Sequence, residues 1–332
     1  MKAVAHTARD IASLVDLELP KPNPGPRDLL VKVEAVSVNP VDTKRRADPA
    51  KSDSAPRVLG WDAAGTVAAI GAQVTLFKPG DAVYYAGDVT RAGSNSEFQL
   101  VDERIVGKKP KSLDFAQAAA IPLTAITAWE AFFERLKIRR ESGASVLIIN
   151  SAGGVGSIGI QIAKATGLKV VATASRPETT AWVKELGADH VVDHRKPLRP
   201  QVEALGYKHI DYIANFSGEL DAHWPAMADL VAPQGALVAI VGNREPLAMD
   251  GVRSKSASVC WELMFTRPRF QTPDMIEQHK LLNQVSEWLD ARKLRTTLRE
   301  TLTPINAANL RRAHEKLESG KMIGKLVVAG WA

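Results

Sequence analysis

The residues best placed to do chemistry form a glycine-rich turn. Val146-Leu147-Ile148-Ile149-Asn150 reads as a buried strand, Ser151-Ala152-Gly153-Gly154-Val155-Gly156 as a tight turn, and Ser157 to Thr166 as a helix. Missing side chains let backbone N–H groups approach a pyrophosphate, whose charge is favoured at a helix N-terminus. Two registers fit the six-residue glycine spacing. Gly154-Val155-Gly156-Ser157-Ile158-Gly159 matches it literally, but its first glycine lies well past the strand. The better register sets Ser151 at the first glycine position, with Gly153 and Gly156 as second and third. Gly154 then helps the turn and Gly159 eases packing of the helix. A glycine turn alone is weak evidence. Here strand, turn, helix and next strand follow in order, which points to a dinucleotide site.

The next strand ends Val170-Val171-Ala172-Thr173-Ala174-Ser175-Arg176-Pro177. A site preferring NAD places an acid here, against the ribose hydroxyls. None stands at the tip, and Glu178 comes only after Pro177. Ser175 can donate to a 2′-phosphate and Arg176 can pair with its charge, so the expected cofactor is NADPH; an ordinary loop serine and arginine is the bland alternative. Asn215-Phe216 and Gly242-Asn243 end later strands and qualify as cofactor contacts, because ligands lie beyond the carboxyl ends of parallel strands. Lys164 reads as a solvent-facing helix residue.

Those positions require a particular frame. From residue 145 strands alternate with helices: Ser145 to Asn150, Lys169 to Ala174, His190 to Val192, His209 to Ala214 and Ala236 to Val241 are apolar strands. The alternation implies a parallel sheet wrapped by helices. Residues 1 to about 110 instead read as short strands, among them Leu29 to Val36, Gly65 to Ile70 and Ala82 to Tyr85, punctuated by Pro24-Gly25 and Pro79-Gly80-Asp81. Ser112-Leu113-Asp114-Phe115 can cap a helix into Ala118-Ala119-Ala120; Pro122 interrupts, and Ala125 to Lys137 is helical. Past residue 267 come a helix from Pro273 to Leu289, a strand at 295–302, a helix from Ile305 to Ser319 and a last strand, Lys325 to Val328. That end can return to complete the first domain.

Bulk properties bound the partners. The chain of 332 residues suits two domains, and 45% hydrophobic against 24% charged residues excludes a disordered chain. No run approaches the roughly 20 apolar residues of a membrane span, and no signal peptide opens the sequence, so a cytoplasmic location is the default. The net charge of +6 is spread over clusters such as Lys44-Arg45-Arg46, Lys108-Lys109 and Arg311-Arg312. None is interleaved with stacking aromatics, so they read as solvated faces and nucleic acid is not an expected partner. The single cysteine, Cys260, excludes an intramolecular disulfide and reads as a packed, inert thiol.

Val38-Asn39-Pro40-Val41-Asp42, Gly60-Trp61-Asp62-Ala63-Ala64-Gly65, Pro79-Gly80-Asp81-Ala82-Val83 and Ala119-Ala120-Ile121-Pro122-Leu123-Thr124-Ala125, followed by the glycine turn, resemble the medium-chain dehydrogenase/reductase superfamily. The likeness is to its zinc-type alcohol dehydrogenase-like and quinone oxidoreductase branch. It implies an α/β fold, with a Rossmann doubly wound parallel sheet and a GroES-like β-rich catalytic domain. The expected division is 1–124 catalytic, 125–266 NADPH-binding, and 267–332 returning to the catalytic domain. It also implies a homodimer joined near Ser254 to Phe265. Zinc-dependent relatives carry a Cys ligand where this chain has Asn39 and a His ligand where it has Trp61; the third position falls near Pro122 or Leu123. The four-cysteine structural zinc loop has no counterpart, and the seven histidines form no metal-binding pair.

Without zinc, simple alcohol oxidation is hard, whereas hydride addition to a conjugated acceptor spreads charge onto a distant oxygen. The expected activity is therefore NADPH-dependent reduction of a quinone or an α,β-unsaturated carbonyl. The alternatives are metal-free carbonyl and alcohol interconversion, or an NADPH-binding sensor or nucleic-acid-binding module without turnover. Asn39, Asp42, Trp61, Asp62 and Thr124 match cleft positions of the family. Asn39 can hydrogen-bond a carbonyl, Thr124 contact the nicotinamide and Trp61 form an apolar wall, while Asp42 and Asp62 read more readily as loop braces. Tyr84 or Tyr85 can supply a proton, though a strand tyrosine is more often packing with a polar tip.

Overall fold

The computed structural model describes residues 1–48 and 56–332. It divides into two compact units: Met1–Leu123 with Phe265–Ala332, and Thr124–Met264.

The discontinuous unit is built on strands β1 (Lys2–His6), β2 (Leu14–Glu18), β3 (Asp28–Ser37), β4 (Arg57–Val58), β5 (Ala63–Ile70), β6 (Ala82–Tyr85), β7 (Phe98–Asp102) and β8 (Val106–Lys108). Helices α1 (Pro40–Ala47) and α2 (Phe115–Ala119) accompany them, and α3 (Pro122–Trp129) begins here. Pro122 starts that helix rather than interrupting one, because the first helical position needs no N–H donor; past Trp129 the chain continues as a π-helix, Glu130–Arg135.

The contiguous unit follows as β9 (Ser145–Ile149), α4 (Gly154–Ala165), β10 (Lys169–Thr173), α5 (Pro177–Glu185), β11 (His190–Val192), α6 (Leu198–Ala204), β12 (Ile210–Asn215), α7 (Leu220–Leu230), β13 (Val231–Ala239), α8 (Asp250–Arg253) and β14 (Ser258–Trp261). Its six strands are all parallel, in the order β11-β10-β9-β12-β13-β14. Numbered within the unit this is 3-2-1-4-5-6, the doubly wound arrangement whose order reverses between β9 and β12. Helices cover both faces, so every side chain of Ser145–Ile149 is buried and the strand is nearly all apolar. Leu147, Ile149, Val171, Ile213, Trp224 and Leu237 meet in one core; each of the aliphatic side chains among them contributes about 1.5–3 kcal/mol by burial.

Chain then returns to the first unit through α9 (Thr266–Phe270), α10 (Ile276–Asp290), β15 (Leu298–Leu302), α11 (Ala307–Glu318) and β16 (Lys325–Ala329). The main sheet runs β15-β16-β3-β5-β6-β8, with β7 also on β3. Strand β16 lies antiparallel to the end of β3, pairing Val327 with Ser37. Among the described residues no helix is long and apolar enough to cross a membrane.

Two of the basic clusters depart from the sequence reading. Arg46 is buried and pairs with Glu318, with Nη1 on the carbonyl of Arg9 at 2.7 Å, because α1 packs against α11. Arg311 likewise donates to Leu14 O at 2.6 Å. These are structural contacts rather than solvated faces.

Candidate functional site

In the contiguous unit the candidate cofactor residues gather at the carboxyl end of the sheet, around the reversal in strand order. Asn150 follows β9 with φ +63°, a left-handed conformation that asparagine tolerates. Its amide N–H donates to Thr173 Oγ1 at 3.1 Å and its side-chain Nδ2 to Phe216 O at 3.0 Å, tying β9 to both neighbouring strand ends. Gly153 caps α4, whose first-turn amides, Gly154 to Gly156, lack acceptors within the helix. Gly156 is fixed by contact: a Cβ there would lie 2.4 Å from Asn150 O and 2.5 Å from Ser151 Cα. Only a bare α-carbon lets α4 start so close to β9. Gly159 plays a milder part further along, facing the ring of Phe216.

Ser151 turns its hydroxyl into the sheet, donating to Ile148 O at 2.5 Å and accepting from Thr173 N at 2.8 Å. What Ser151 offers a ligand is therefore backbone, as Ala152 and Val155 do. Arg176 and half-buried Ser175 follow β10. Arg176 is the N-cap of α5, and its guanidinium pairs with Glu178 at 3.1 Å. That pair is partly exposed, so breaking it costs at most about 1 kcal/mol. Asn215 is fully buried at the end of β12; its Oδ1 accepts from Ser217 N at 3.0 Å, while Nδ2 has no partner. A buried amide donor left open costs on the order of 1–3 kcal/mol, which marks the position as one that awaits an acceptor. Gly242 and Asn243 lie beyond β13, which stops at Ala239, short of the expected Val241; Asn243 folds onto Glu245 O at 3.0 Å and both residues are exposed. Lys164 pairs with Asp189 at 2.7 Å, on the opposite end of its helix from the glycines. Thr124 is buried in the first turn of α3.

Cys260 corrects the packed-thiol expectation. It sits half-buried on edge strand β14, its Sγ 3.5 Å from Arg135 O, because β14 has a neighbour on one side only. Burial pushes its thiol up, away from the reactive thiolate form, with Arg135 and Lys137 opposing.

The other candidates cluster in the discontinuous unit, where three chain segments converge. The end of β3 leads to Asn39; Ser37 N bonds Asp62 O at 2.9 Å, bringing in the start of β5, and Ser37 Oγ bonds Leu326 O at 2.9 Å, bringing in the start of β16. Asn39 occupies the N-cap of α1, ahead of Pro40, yet its side chain does not cap. Asp42 does so instead, accepting Asn39 N at 2.7 Å. Asn39 Nδ2 donates to Asp62 Oδ2 at 3.1 Å and to Ser37 O at 3.3 Å, and Oδ1 accepts from Lys325 Nζ at 2.5 Å. Every polar atom of the Asn39 side chain is thus engaged, so the expected bond to a carbonyl requires one of these contacts to be exchanged. Asp62 also accepts Leu123 N at 3.0 Å and pairs with Lys325 at 3.2 Å. Both aspartates therefore brace loops, and both belong to a buried charge cluster.

That cluster perturbs its members. Burial pushes the Asp42 carboxyl up to about 7, with the Asn39 N–H and the Lys325 ammonium opposing and Asp62 adding to the rise. Burial likewise raises Asp62, against Lys325, and lowers Lys325, against Asp62. An Asp42 that titrates near 7 when folded and near 3.9 when unfolded binds a proton on folding throughout that interval. Its contribution to stability is fully present below about pH 4 and lost as pH rises towards 7. Urea unfolding at pH 5 and pH 8 is expected to show wild-type protein losing more stability across that span than Asp42→Asn. Equal losses would contradict the assignment.

The tyrosines separate cleanly, since neighbours on a strand face opposite ways. Tyr84 Oη donates to Leu282 O at 2.6 Å, which removes it as a proton source. Tyr85 is equally buried, but its hydroxyl has no partner; burial pushes its pKa up, keeping the phenol neutral. Trp61 donates Nε1 to Asp88 O at 3.1 Å and meets Phe265 edge to face. A Cβ on Gly87 would stand 3.9 Å from both Trp61 and Tyr85, so the two rings flank one spot. Among the described residues no group of three or more His, Cys, Asp or Glu side chains can hold a metal.

The sequence reading missed Lys325 and Asn150. Lys325 carries one signal, a charge heading the wholly apolar run Leu326-Val327-Val328; Asn150 carries another, a turn-forming residue directly after a strand.

A doubly wound nucleotide unit joined to a β-rich one is the plan of a dehydrogenase, and the chain matches family models of both parts. Residues 25–111 match the alcohol dehydrogenase GroES-like domain, and 186–328 match zinc-binding dehydrogenase. The chain belongs to the medium-chain dehydrogenase/reductase superfamily of oxidoreductases. A zinc-type alcohol dehydrogenase-like protein of Staphylococcus aureus is 46% identical over 312 residues, covering 93% of this chain and 92% of that one. A Rhizobium etli crystal structure, described as a candidate zinc-dependent alcohol dehydrogenase, superposes with a TM-score of 0.94 at 53% identity, covering 100% of this chain and 98% of that one. The quinone oxidoreductase of Coxiella burnetii gives a TM-score of 0.80 at 25% identity, covering 100% and 99%.

Proposed function

We propose that this chain is an NADPH-dependent reductase that acts on a quinone or an α,β-unsaturated carbonyl without zinc. One observation carries the reading: at the positions where zinc-dependent relatives hold their metal, this chain sets a buried ammonium among side chains that are already engaged. Asn39 Oδ1 and Asp62 Oδ2 both receive Lys325 Nζ, and Trp61 Nε1 is itself a donor. Indole nitrogen and carboxamide are poor zinc donors, and a cation already stands between the two oxygens. The residues do not fit zinc.

They do fit a nicotinamide dinucleotide. The α4 N-terminus and the Gly153 to Gly156 backbone suit a pyrophosphate, the unpartnered Asn215 Nδ2 suits a ligand carbonyl or hydroxyl, and Ser175 with Arg176 suits a 2′-phosphate. When bound, NADPH supplies hydride. Thr124, Gly242 and Asn243 complete the proposed contacts. On the substrate side Trp61 supplies an apolar wall, and Tyr85 is the tyrosine whose hydroxyl hydrogen is uncommitted. A conjugated acceptor suits this equipment, since its developing charge needs hydrogen bonds rather than a Lewis acid. The name of the Coxiella burnetii relative supports the same substrate class. We further propose a homodimer through the β14 edge.

The test is cofactor oxidation by metal-stripped protein, with NADPH or NADH and a panel of benzoquinone, naphthoquinone, an enone and a simple aldehyde. NADPH-selective turnover of the quinones or the enone is expected. Aldehyde turnover restored only by zinc would overturn the reading. Arg176→Ala is expected to raise the KM for NADPH about tenfold, the loss of one charge-assisted contact, and to leave that for NADH within twofold.

A further inference from the structure

We infer that the Lys325 ammonium is the resident cation of the Asn39–Asp62 pair, and that Lys325 serves as a positioning residue that fixes and polarises the Asn39 amide. The second half rests on the reductase reading above; the first does not.

An ammonium has three hydrogens and needs three acceptors when removed from water. Lys325 has them: Val38 O at 2.8 Å, Asn39 Oδ1 at 2.5 Å and Asp62 Oδ2 at 3.2 Å. Its side chain is 3% exposed and that of Asp62 is 0%, so neither charge is relieved by solvent. The three acceptors are a main-chain carbonyl, a carboxamide oxygen and a carboxylate. Convergent oxygens of this kind attract a cation, and here the chain provides its own from 286 residues away. The same geometry closes the position to a divalent ion, which would have to expel the ammonium from all three of its acceptors.

A buried ion pair is seldom the most stable filling for a core, so its effect on the neighbouring group matters. Lys325 decides which end of the Asn39 amide is oxygen, because only the oxygen can accept from it. Drawing electron density towards Oδ1 makes the Nδ2 hydrogens stronger donors. One of them is held by Asp62 at 3.1 Å. The other makes only the 3.3 Å contact to Ser37 O, the longest bond in the cluster and the one an incoming acceptor oxygen can most readily replace. The ammonium thus acts on substrate through Asn39.

The experiment compares wild-type protein with Lys325→Met, with Asp62→Asn and with Lys325→Met/Asp62→Asn, the last lacking both charges. Lys325→Met is expected to lose thermal stability and the double variant to regain most of it. If Lys325 positions Asn39, the double variant keeps a kcat for quinone at least about tenfold below both wild type and Asp62→Asn alone, with the KM for NADPH unchanged. Recovery of both stability and kcat would reduce Lys325 to a counter-ion and overturn the second half. The first half is read on wild-type protein, by calorimetric titration with zinc sulfate after metal stripping. No uptake is expected, and one zinc bound per chain would overturn it, whatever the variants do. Should wild-type protein turn over no quinone or enone, the reductase reading fails separately. The side-chain 15NH2 signals of Asn39 then decide its positioning: a shift in Lys325→Met/Asp62→Asn beyond that in Asp62→Asn alone supports the role of Lys325, and no further shift refutes it.

Discussion

Asp62→Ala is expected to cost about 3–5 kcal/mol of folding stability, the loss typical of breaking a buried ion pair by removing one partner. The carboxylate neutralises Lys325 and accepts the Asn39 side-chain N–H and the Leu123 backbone N–H. Alanine leaves all three donors facing a void. The pH dependence identifies the cause. Burial already lowers Lys325, and Asp62 is the first group opposing that fall. Without Asp62 the folded-state value drops further, while the unfolded lysine stays near 10.4. The unfolded state then binds a proton that the folded state refuses, so the variant is penalised below pH 10 and increasingly so towards neutrality. Guanidinium unfolding at pH 7 and pH 9.5 is expected to show the gap to wild type narrowing at the higher pH. A gap that does not change with pH would mean that packing, not charge, was lost.

Gly156→Ala is the second large effect. The added methyl would lie 2.4 Å from Asn150 O and 2.5–2.6 Å from the backbone of Ser151. Both are main-chain atoms, so no rotamer change makes room, and α4 must move away from β9. Overpacking of this kind costs about 1–3 kcal/mol. The functional cost is expected to be larger, because the displaced first turn carries the amides assigned to the pyrophosphate. A shift that forfeits about 1.4 kcal/mol of contacts weakens binding tenfold, and fluorescence titration should find NADPH affinity reduced by at least that factor. Gly218→Ala is the control: a Cβ there meets nothing within 4 Å, and its stability should match wild type. Undiminished NADPH affinity in Gly156→Ala would remove the glycine turn from the cofactor site.

What could be read from the sequence follows the range of the interaction involved. The glycine turn, the apolar strands around it and a helix cap within Ser112 to Phe115 are local patterns, and the structure has each within a few residues of where the chain announces it, the cap being Asp114. Tyr84 and Tyr85 show the limit of local reasoning. Alternation along a strand says that they face opposite ways, but only the position of Leu282, 198 residues later, says which hydroxyl is taken. Ser151 was legible as a turn residue, whereas the direction of its hydroxyl depends on pairing with Thr173. Asn39 was singled out for its type and place, yet its engagement depends on Lys325. No periodicity or spacing connects residue 39 to residue 325; the sheet order does.

The placement of β16 has a consequence for how the molecule is made. Strand β3 cannot complete its pairing until β16 arrives, and β16 is encoded roughly 290 residues after it. Residues 124–264 form a contiguous unit able to fold as soon as they leave the ribosome. The first unit must wait, its Asp62 lacking a counter-charge, until the tail of the polypeptide is synthesised. Docking of the last strand and neutralisation of the cluster are then a single event. A ribosome that stops a few codons short of Lys325 would release a chain with a finished nucleotide unit and an open, electrically unbalanced partner, a truncation that cellular proteases can recognise.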